Sequence, residues 1–283
     1  MCTNKLVKGA LNNVSKSKDW IDYDWFEHEG LRVRYGVRSG NSDSVPLLIF
    51  NGVGQSIEVL QPLIEALDGI EVIAYDVPGT GMSDTPVLPL RYGRHAKLAS
   101  ALISHLDYER IGAMGSSWGG PLAQEFTRQN PERVEKLILA VSPPGNLMVP
   151  GHPGVYWRMA HVKRFTDRNY MRSIASHIYG GTIRTDESSL DAHIKRLKPP
   201  SRRGYFYQAL TLWGWTSVPW LWRLKQPTLI IQGEDDPMVP NINARMMACM
   251  IPQSRLEFVD CGHMLILTRV PQISGMIRGF MVA

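Results

Sequence analysis

The chain has 283 residues, 44% hydrophobic and 20% charged, so it can bury a large core without a metal or disulfide staple. Its three cysteines are an odd number without C-x-x-C spacing, which argues against a disulfide framework. The net charge of +5 is mild. No run of about 18 apolar residues occurs, so we expect no membrane-spanning helix. Residues 1–20 are polar and lack the apolar core of a secretory signal, so we expect a cytosolic protein.

The first half of the chain is predicted to alternate between strands and helices. Residues 1–19 are expected to form a leader, and Asp22–Arg38 is predicted as two strands around a Glu-Gly turn. The apolar runs Pro46–Phe50 and Glu71–Asp76 are predicted as strands, each followed by a glycine-containing loop. Helices are expected over Ser56–Leu67 and Tyr92–Leu106.

The second half continues this alternation with four short apolar runs, predicted as strands: Arg110–Gly115, Lys136–Val141, Thr228–Gly233 and Arg255–Asp260. Helices are expected from Ser117 to about Gln129 and over about Val270–Met281. Such alternation is typical of an α/β protein with a mostly parallel sheet, which binds its ligands at the carboxyl ends of the strands. The polar residues predicted at those ends are Asn51, Asp76, Ser117, Asp236 and His263.

A long insertion, Pro144–Leu224, separates two of the predicted strands and is predicted to be helical and rich in turns. At this place it would lie over the strand ends as a lid, so we predict a leader (1–19), a core (20–143 and 225–283) and a lid (144–224). The insertion carries 12 Lys/Arg against 4 Asp/Glu. This excess predicts either a solvated helical surface or an attraction to anionic partners. Because no nucleic-acid-binding motif occurs, we expect no nucleic-acid partner.

The insertion also holds five of the eight tryptophans: Trp157, Trp213, Trp215, Trp220 and Trp222. Aromatic side chains there would either line a pocket for an acyl chain or form the core of the lid, and both interpretations stay open. We predict that Trp157, Trp213 and Trp215 contact substrate, together with Asn51 at the end of the Pro46–Phe50 strand.

The strongest local motif is Gly115-Ser116-Ser117-Trp118-Gly119, which fits the pattern G-x-S-x-G. It follows a predicted strand and begins a predicted helix, as a nucleophile elbow requires. The central serine would lie on a tight, strained turn, where side chains two positions away on either side would collide. A free serine hydroxyl is a poor nucleophile, so the motif predicts a general base elsewhere in the chain.

The elbow motif predicts the chain order serine, carboxylate, histidine, and the chain supplies both partners in that order. Asp236 follows one predicted strand, and His263 follows the next. We predict that His263 takes the proton of Ser117 and returns it to the leaving alcohol, while Asp236 orients the imidazole and stabilises its charge. Asp235 remains an alternative for the carboxylate.

An oxyanion hole needs backbone N–H groups directed at the developing negative charge. One is expected from Trp118, the residue after the nucleophile, and the second from Val53 in the glycine-containing loop after Pro46–Phe50. No His/Cys/Asp cluster has zinc spacing, and the dinucleotide and P-loop patterns are incomplete or missing. We therefore expect no metal and no cofactor.

The chain resembles the intracellular poly(3-hydroxyalkanoate) depolymerases of the medium-chain-length type, within the α/β-hydrolase superfamily. The core stretches that carry the resemblance are LLIFNGVGQSIE, IEVIAYDVPGTGMSD, MGSSWGGPLAQEF, PTLIIQGEDDPMVP and CGHMLILTR. The more specific stretches lie in the predicted lid: MVPGHPGVYWRMA, IYGGTIR and LWGWTSVPWL. The chain departs from the family at Val53, where isoleucine is frequent, and at Ser116, where an apolar residue is expected. The leader has no counterpart.

The resemblance implies an α/β-hydrolase fold, a triad of Ser117, Asp236 and His263, and hydrolysis of a stored aliphatic polyester, with the storage-granule surface as a further partner. Three alternatives stay open: a carboxylesterase or lipase acting on small or medium-chain esters, a carbon–carbon bond hydrolase of the meta-cleavage type, and a non-catalytic granule-binding protein. Haloalkane dehalogenases and epoxide hydrolases are disfavoured, since both carry an aspartate where Ser117 stands. Side-chain length of the substrate and oligomeric state are left open.

Overall fold

The computed structural model describes residues 20–41, 43–161 and 163–283. The predicted leader, 1–19, lies outside the described residues. Within them the chain forms eight strands: β1 (Asp22–His28), β2 (Leu31–Arg38), β3 (Leu47–Phe50), β4 (Val72–Tyr75), β5 (Ile111–Ser116), β6 (Val134–Ala140), β7 (Thr228–Gly233) and β8 (Ser254–Val259). Each strand predicted from the sequence is present, with ends that differ by at most two residues.

The eight strands form one sheet in the order β1-β2-β4-β3-β5-β6-β7-β8. β1, β2 and β4 pair in antiparallel fashion, while all pairs from β4 through to β8 are parallel. This confirms the predicted α/β class with a mostly parallel sheet.

The helices of the described residues lie between and after these strands: α1 (Gln61–Ala66), α2 (Tyr92–His105), α3 (Gly119–Gln129), α4 (Pro153–Ala160), α5 (Lys163–Thr166), α6 (Arg168–Tyr179), α7 (Glu187–Arg196), α8 (Arg202–Leu212), α9 (Asn241–Met250), α10 (Leu265–Thr268) and α11 (Val270–Val282). The single helix predicted over Ser56–Leu67 is wrong, because a 3-10 turn at Ile57–Leu60 precedes α1. Pro62 lies in the first turn of α1, where its missing N–H is tolerated, and this favours a new helix start.

Both faces of the sheet are buried, and this explains why the strands read as continuous apolar runs. Leu48 and Phe50 of β3 belong to one core cluster, whereas Leu47 and Ile49 belong to the cluster on the other face. The side chains therefore alternate between two cores along one short strand.

Strand order reverses between β3 and β5, which are neighbours although β4 lies between them in sequence. Phe50, the last residue of β3, pairs with Gly115 near the end of β5. The loops that leave these two strands therefore start side by side at the carboxyl edge of the sheet. Ligands of open α/β sheets bind at such a switch point.

Residues 144–224, here called the inserted segment, contain α4 to α8. Their buried side chains include Met171 and Ile178, which cluster with Met238, Val239 and Met264 from the residues around β7 and β8. The segment thus packs on the carboxyl edge of the sheet. No helix of the described residues is long and apolar enough to cross a membrane.

A buried charge network joins the inserted segment to the sheet. The guanidinium of Arg34 donates from Nε to Asp76 Oδ2 at 2.8 Å and from Nη2 to Glu58 Oε2 at 3.0 Å. Glu58 also accepts from Nζ of Lys198, a residue of the inserted segment, at 2.5 Å. Burial would raise the pKa of Glu58, but the hydrogen bonds from Arg34 and Lys198 outweigh it and lower the pKa to about 2.

We predict that Glu58 makes stability depend on pH in the acid range. Because its pKa falls from 4.5 to about 2 on folding, its contribution is complete above pH 4.5 and is lost as the pH falls towards 2. Over this pH range, the free energy of unfolding measured in urea should fall by up to about 3 kcal/mol more in wild type than in Glu58→Gln. The exposed Glu65→Gln variant is the matched control and should follow wild type. Parallel curves for wild type and Glu58→Gln would contradict the prediction.

Candidate active site

Ser117 lies in a sharp turn between β5 and α3. Its φ of 52° is in the left-handed region, which residues other than glycine rarely adopt. Its N–H donates to the carbonyl of Ala140 at 3.0 Å, and its own carbonyl accepts from Gly120 at 2.9 Å. Such backbone strain costs about 1–3 kcal/mol and persists only where the surrounding structure enforces it.

The glycines on either side of Ser117 allow the turn to pack tightly. A Cβ at Gly119 would overlap the carbonyl oxygen of Phe50, and a Cβ at Gly115 would overlap the carbonyl oxygen of Gly119. The first turn of α3 therefore rests directly on the backbone of β3. This contact positions the serine hydroxyl at the carboxyl edge of the sheet.

His263 follows β8 and reaches the serine across the sheet edge. Its Nε2 is 2.8 Å from Ser117 Oγ, and its Nδ1 is 2.7 Å from Asp236 Oδ2. With Nδ1–H donating to the carboxylate, Nε2 is left to accept from the serine hydroxyl. The backbone N–H of His263 donates at 2.7 Å to the carbonyl of Tyr179, the last residue of α6.

Asp236 is the carboxylate that meets His263, and its side chain is fully buried. Its Oδ1 accepts from the backbone N–H groups of Met238 at 2.9 Å and Val239 at 3.0 Å. Asp235, the alternative from the sequence, points away: it accepts from the exposed Arg184 at 2.8 Å and 3.2 Å. The structure therefore brings Ser117, His263 and Asp236 into one hydrogen-bonded chain.

The loop after β3 carries Val53 to the cavity that Ser117 also lines. Among the described residues, no acceptor is found for the backbone N–H of Val53 or of Trp118. The adjacent Gly54 N–H is held by Gln208 Oε1 of α8 at 2.7 Å, and the indole of Trp118 donates to the carbonyl of Gln208 at 2.9 Å. One residue of the inserted segment thus contacts both strand-end segments that are predicted to form the oxyanion hole.

Asn51 does not line the cavity beside Ser117, and its contact with substrate stays a prediction. The side chain is buried and is used within its own loop: Nδ2 donates to the Ser56 carbonyl at 2.9 Å, and Oδ1 accepts from Gly52 N at 2.8 Å. Both ends of the amide are therefore engaged in holding the loop that bears Val53.

None of the three tryptophans predicted to contact substrate, Trp157, Trp213 and Trp215, lines this cavity, and their contact with substrate stays a prediction. Trp157 and Trp213 are 72% and 71% exposed. Trp215 packs on Tyr92 with 4.9 Å between ring centroids, and its Nε1 donates to a carboxylate on α3 at 3.2 Å. It therefore joins the inserted segment to α2 and α3.

The cavity beside Ser117 and His263 is narrow, with a volume of about 30 Å³, and is lined largely by apolar side chains. Five of these apolar residues were not predicted as site residues from the sequence: Met159, Met238, Met264, Ile266 and Leu267. A signal was available for the last three, because they directly follow the candidate base. Arg164 also lines the cavity, and nothing in the sequence distinguishes it from the other basic residues of its segment. No group of three or more His, Cys, Asp or Glu able to hold a metal is found among the described residues.

Comparison with known proteins identifies the class to which this fold and site belong. Residues 45–270 match the family model of the α/β hydrolase fold, so the chain belongs to the α/β-hydrolase family and is a hydrolase. An enol-lactonase from Burkholderia xenovorans LB400 shares the fold, with a TM-score of 0.79 and 18% identity over 92% of this chain and 100% of that chain.

Two relatives are similar in sequence over most of their length. A poly(3-hydroxyalkanoate) depolymerase of Ectopseudomonas oleovorans is 42% identical over 256 residues, which cover 90% of each chain. This confirms the resemblance to that family expected from the motifs. A 2-hydroxy-6-oxononadienedioate/2-hydroxy-6-oxononatrienedioate hydrolase of Escherichia coli is 28% identical over 252 residues, covering 82% of this chain and 85% of that protein.

We predict that Gly119→Ala destabilises the fold, because its Cβ would overlap the Phe50 carbonyl. The free energy of unfolding measured in urea should fall by about 1–3 kcal/mol, as for other overpacked sites. Gly275→Ala in α11 is the matched control, since a Cβ there meets nothing within 4 Å. Its free energy of unfolding should rise by about 0.5–1 kcal/mol, because alanine has the higher helix propensity. Equal stability of Gly119→Ala and wild type would show that the close approach is not required.

Proposed function

We propose that the chain hydrolyses the ester bonds of poly(3-hydroxyalkanoate), with medium-length side chains, through an acyl-enzyme on Ser117. The observation that carries this proposal is the continuous hydrogen-bonded chain Ser117–His263–Asp236 beside an apolar cavity. The 42% identity to a poly(3-hydroxyalkanoate) depolymerase supports the choice of substrate.

In the proposed reaction, His263 Nε2 takes the hydroxyl proton while Ser117 Oγ attacks the ester carbonyl. The carboxylate of Asp236 stabilises the imidazolium and fixes its tautomer. The imidazolium then protonates the leaving alkoxide, and the acyl group stays on Ser117. Water, deprotonated by the same base, attacks the acyl-enzyme and releases the carboxylic acid.

The developing oxyanion needs donors that are already in place. The N–H groups of Val53 and Trp118 are the proposed donors, since both flank the serine and no protein acceptor for either is found in the described parts of the chain. Gln208 positions them by accepting from Gly54 N and from the indole of Trp118. Removal of one such donor from an oxyanion hole typically costs about 10²–10³-fold in rate.

Medium-length side chains are proposed because five of the thirteen residues that line the cavity are methionine, isoleucine or leucine. Long, unbranched methionine side chains adapt to flexible aliphatic ligands. The cavity volume of about 30 Å³ is smaller than an acyl chain needs. We therefore propose that residues 144–224 act as a lid whose helices move when substrate enters.

A second candidate is cleavage of a carbon–carbon bond in a dienoic ring-fission product. The 28% identity to a 2-hydroxy-6-oxononadienedioate/2-hydroxy-6-oxononatrienedioate hydrolase favours it, and the same triad can serve both reactions. Hydrolysis of such a compound without activity on saturated esters would establish this alternative.

The site of action remains part of the proposal. A cytosolic location and a storage-granule surface as partner are predictions from the sequence. The exposed indoles of Trp157, Trp213 and Trp222 on the inserted segment support contact with an apolar surface.

We predict that purified granules release 3-hydroxy acids with wild type and that Ser117→Ala lowers the rate by about 10⁴-fold or more. Granules of polymer with long and with short side chains should be assayed in parallel, and the polymer with the longer side chains should be degraded faster. Ser173→Ala, an exposed serine of α6, is the matched control and should act like wild type. If p-nitrophenyl octanoate is cleaved but neither granule, the protein is a general esterase.

We predict opposite outcomes for the two adjacent aspartates. Asp236→Asn should lower kcat on p-nitrophenyl octanoate by about 10⁴-fold, because the histidine loses its orienting carboxylate. Asp235→Asn should stay within about fivefold of wild type, because an exposed ion pair contributes little. The reverse ranking of the two variants would overturn the proposed triad.

A further inference from the structure

Arg164 is a buried cation beside the candidate nucleophile. It lies in α5 of the inserted segment, is only 4% exposed, and lines the same cavity as Ser117 and His263. No carboxylate of the described residues lies within 4.0 Å of it. A buried, unpaired charge is costly, so its position next to the reacting atoms calls for a compensating group.

The unpaired edge of Arg164 has the shape that recognises a carboxylate. Its Nε and Nη2 atoms are buried and find no hydrogen-bond partner among the described residues. Two exposed arginines use this same pair of atoms to bind an aspartate: Arg184 donates to both oxygens of Asp235 at 2.8 and 3.2 Å, and Arg172 donates twice to Oδ1 of Asp191 at 3.0 and 2.8 Å. Parallel N–H groups of a guanidinium fit the two oxygens of a carboxylate.

Aromatic side chains hold the guanidinium in place. Its central carbon lies 4.3 Å from the ring centroid of Phe165 and 5.2 Å from that of Tyr205. These rings stack on the cation, and neither of them supplies an acceptor for its Nε and Nη2 atoms. Phe165 also contacts Gly54, so the same aromatic group links Arg164 to the loop that bears Val53.

Tyr179 and His193, the two groups whose pKa is shifted by the charge of Arg164, supply no negative charge. Burial raises the pKa of Tyr179, and the positive charge of Arg164, together with a hydrogen bond between the two side chains, opposes that rise without reversing it. Burial, followed by Arg164 and Arg196, lowers the pKa of His193 to about 3. Both side chains are therefore neutral near pH 7. Asp167 lines a separate cavity with Arg164, but its Oδ1 accepts from the backbone N–H groups of Asn169 and Tyr170, and it forms no ion pair with Arg164.

We propose that Arg164 binds the free carboxylate at the end of a hydroxyacid oligoester and thereby places the terminal ester at Ser117. This inference rests on the proposed ester hydrolysis and names the part of the substrate that the cavity recognises. In such a chain, the only carboxylate belongs to the last 3-hydroxy acid unit, whose hydroxyl oxygen is the alcohol side of the terminal ester.

The reaction then has a defined direction. Ser117 Oγ forms a bond to the carbonyl carbon, and the bond from that carbon to the terminal unit's oxygen breaks. That oxygen takes the proton from His263, and a free 3-hydroxy acid leaves with its carboxylate on Arg164. Water releases the shortened chain, which carries a new terminal carboxylate. Arg164 thus directs release of single units from the carboxyl end.

The test compares a 3-hydroxyoctanoate dimer carrying a free carboxylate with its methyl ester. In wild type, kcat/KM should favour the free acid by about tenfold to a hundredfold, as charge-assisted hydrogen bonds predict. In Arg164→Gln this ratio should fall to about one. Arg172→Gln, an exposed arginine of the same segment, is the matched control and should keep the wild-type ratio.

Two results would overturn the inference: no preference for the free acid in wild type, or an unchanged preference in Arg164→Gln. If Arg164→Gln fails to fold, Arg164→Lys keeps the charge but loses the paired N–H edge. Its ratio should lie below that of wild type, and an unchanged ratio would again contradict the inference.

A binding measurement separates this inference from the proposed function. Calorimetry with Ser117→Ala should detect 3-hydroxyoctanoate but not methyl 3-hydroxyoctanoate, and adding Arg164→Gln should abolish the difference. If neither dimer is cleaved but this selectivity is present, the proposed function fails while the carboxylate site stands. Equal binding of acid and methyl ester would remove the site, whatever the enzyme hydrolyses.

Discussion

The left-handed turn at Ser117 is the constraint on which the rest of the site depends. A serine with a φ of 52° is unfavourable by itself, and it is kept there by packing of α3 against β3. That packing requires glycine at 115 and 119, a short β3 and the crossover that makes β3 and β5 neighbours. With the turn fixed, β7 and β8 deliver Asp236 and His263 to the same sheet edge without any further adjustment of the chain.

The inserted segment contributes residues to the site as well as packing over it. Tyr179 receives the backbone N–H of His263, Gln208 holds Gly54 and the indole of Trp118, and Arg164 brings a positive charge into the cavity. Lys198 and Glu58 tie the same segment to the base of the loop after β3. A movement of this segment would therefore change the oxyanion donors, the base and the cavity together.

The sheet and the triad geometry were accessible from the sequence because each depends on local patterns. Short apolar runs mark strands that are buried on both faces, and parallel strands place their ends at one edge, so Ser117, Asp236 and His263 could be grouped before the structure was known. The choice between Asp235 and Asp236 needed the structure, since only three-dimensional packing pairs Asp235 with Arg184.

The contacts of the inserted segment were harder to predict from the sequence, because they depend on which face of each helix meets the sheet. Trp157 and Trp213 are exposed, and Trp215 packs on Tyr92, although all three looked equally suited to a pocket. Arg164 is one of twelve basic residues in the segment, and the sequence does not distinguish it from the others. Its burial and its N–H groups without a partner, which the structure shows, distinguish it. A sequence pattern reveals which side chains are buried only when a helix has several turns, and the four-residue α5 that holds Arg164 and the eight-residue α4 that holds Trp157 are too short for this.

The central claim is that a hydroxyacyl group is transferred to Ser117. The direct measurement is mass spectrometry of the peptide containing Ser117 after an acid quench during the first turnover of a 3-hydroxyoctanoate oligomer. We expect a 3-hydroxyacyl adduct on that serine, which appears before the free shortened chain and disappears as that chain forms. Release of product while this peptide stays unmodified, or an adduct on another residue, would contradict the account.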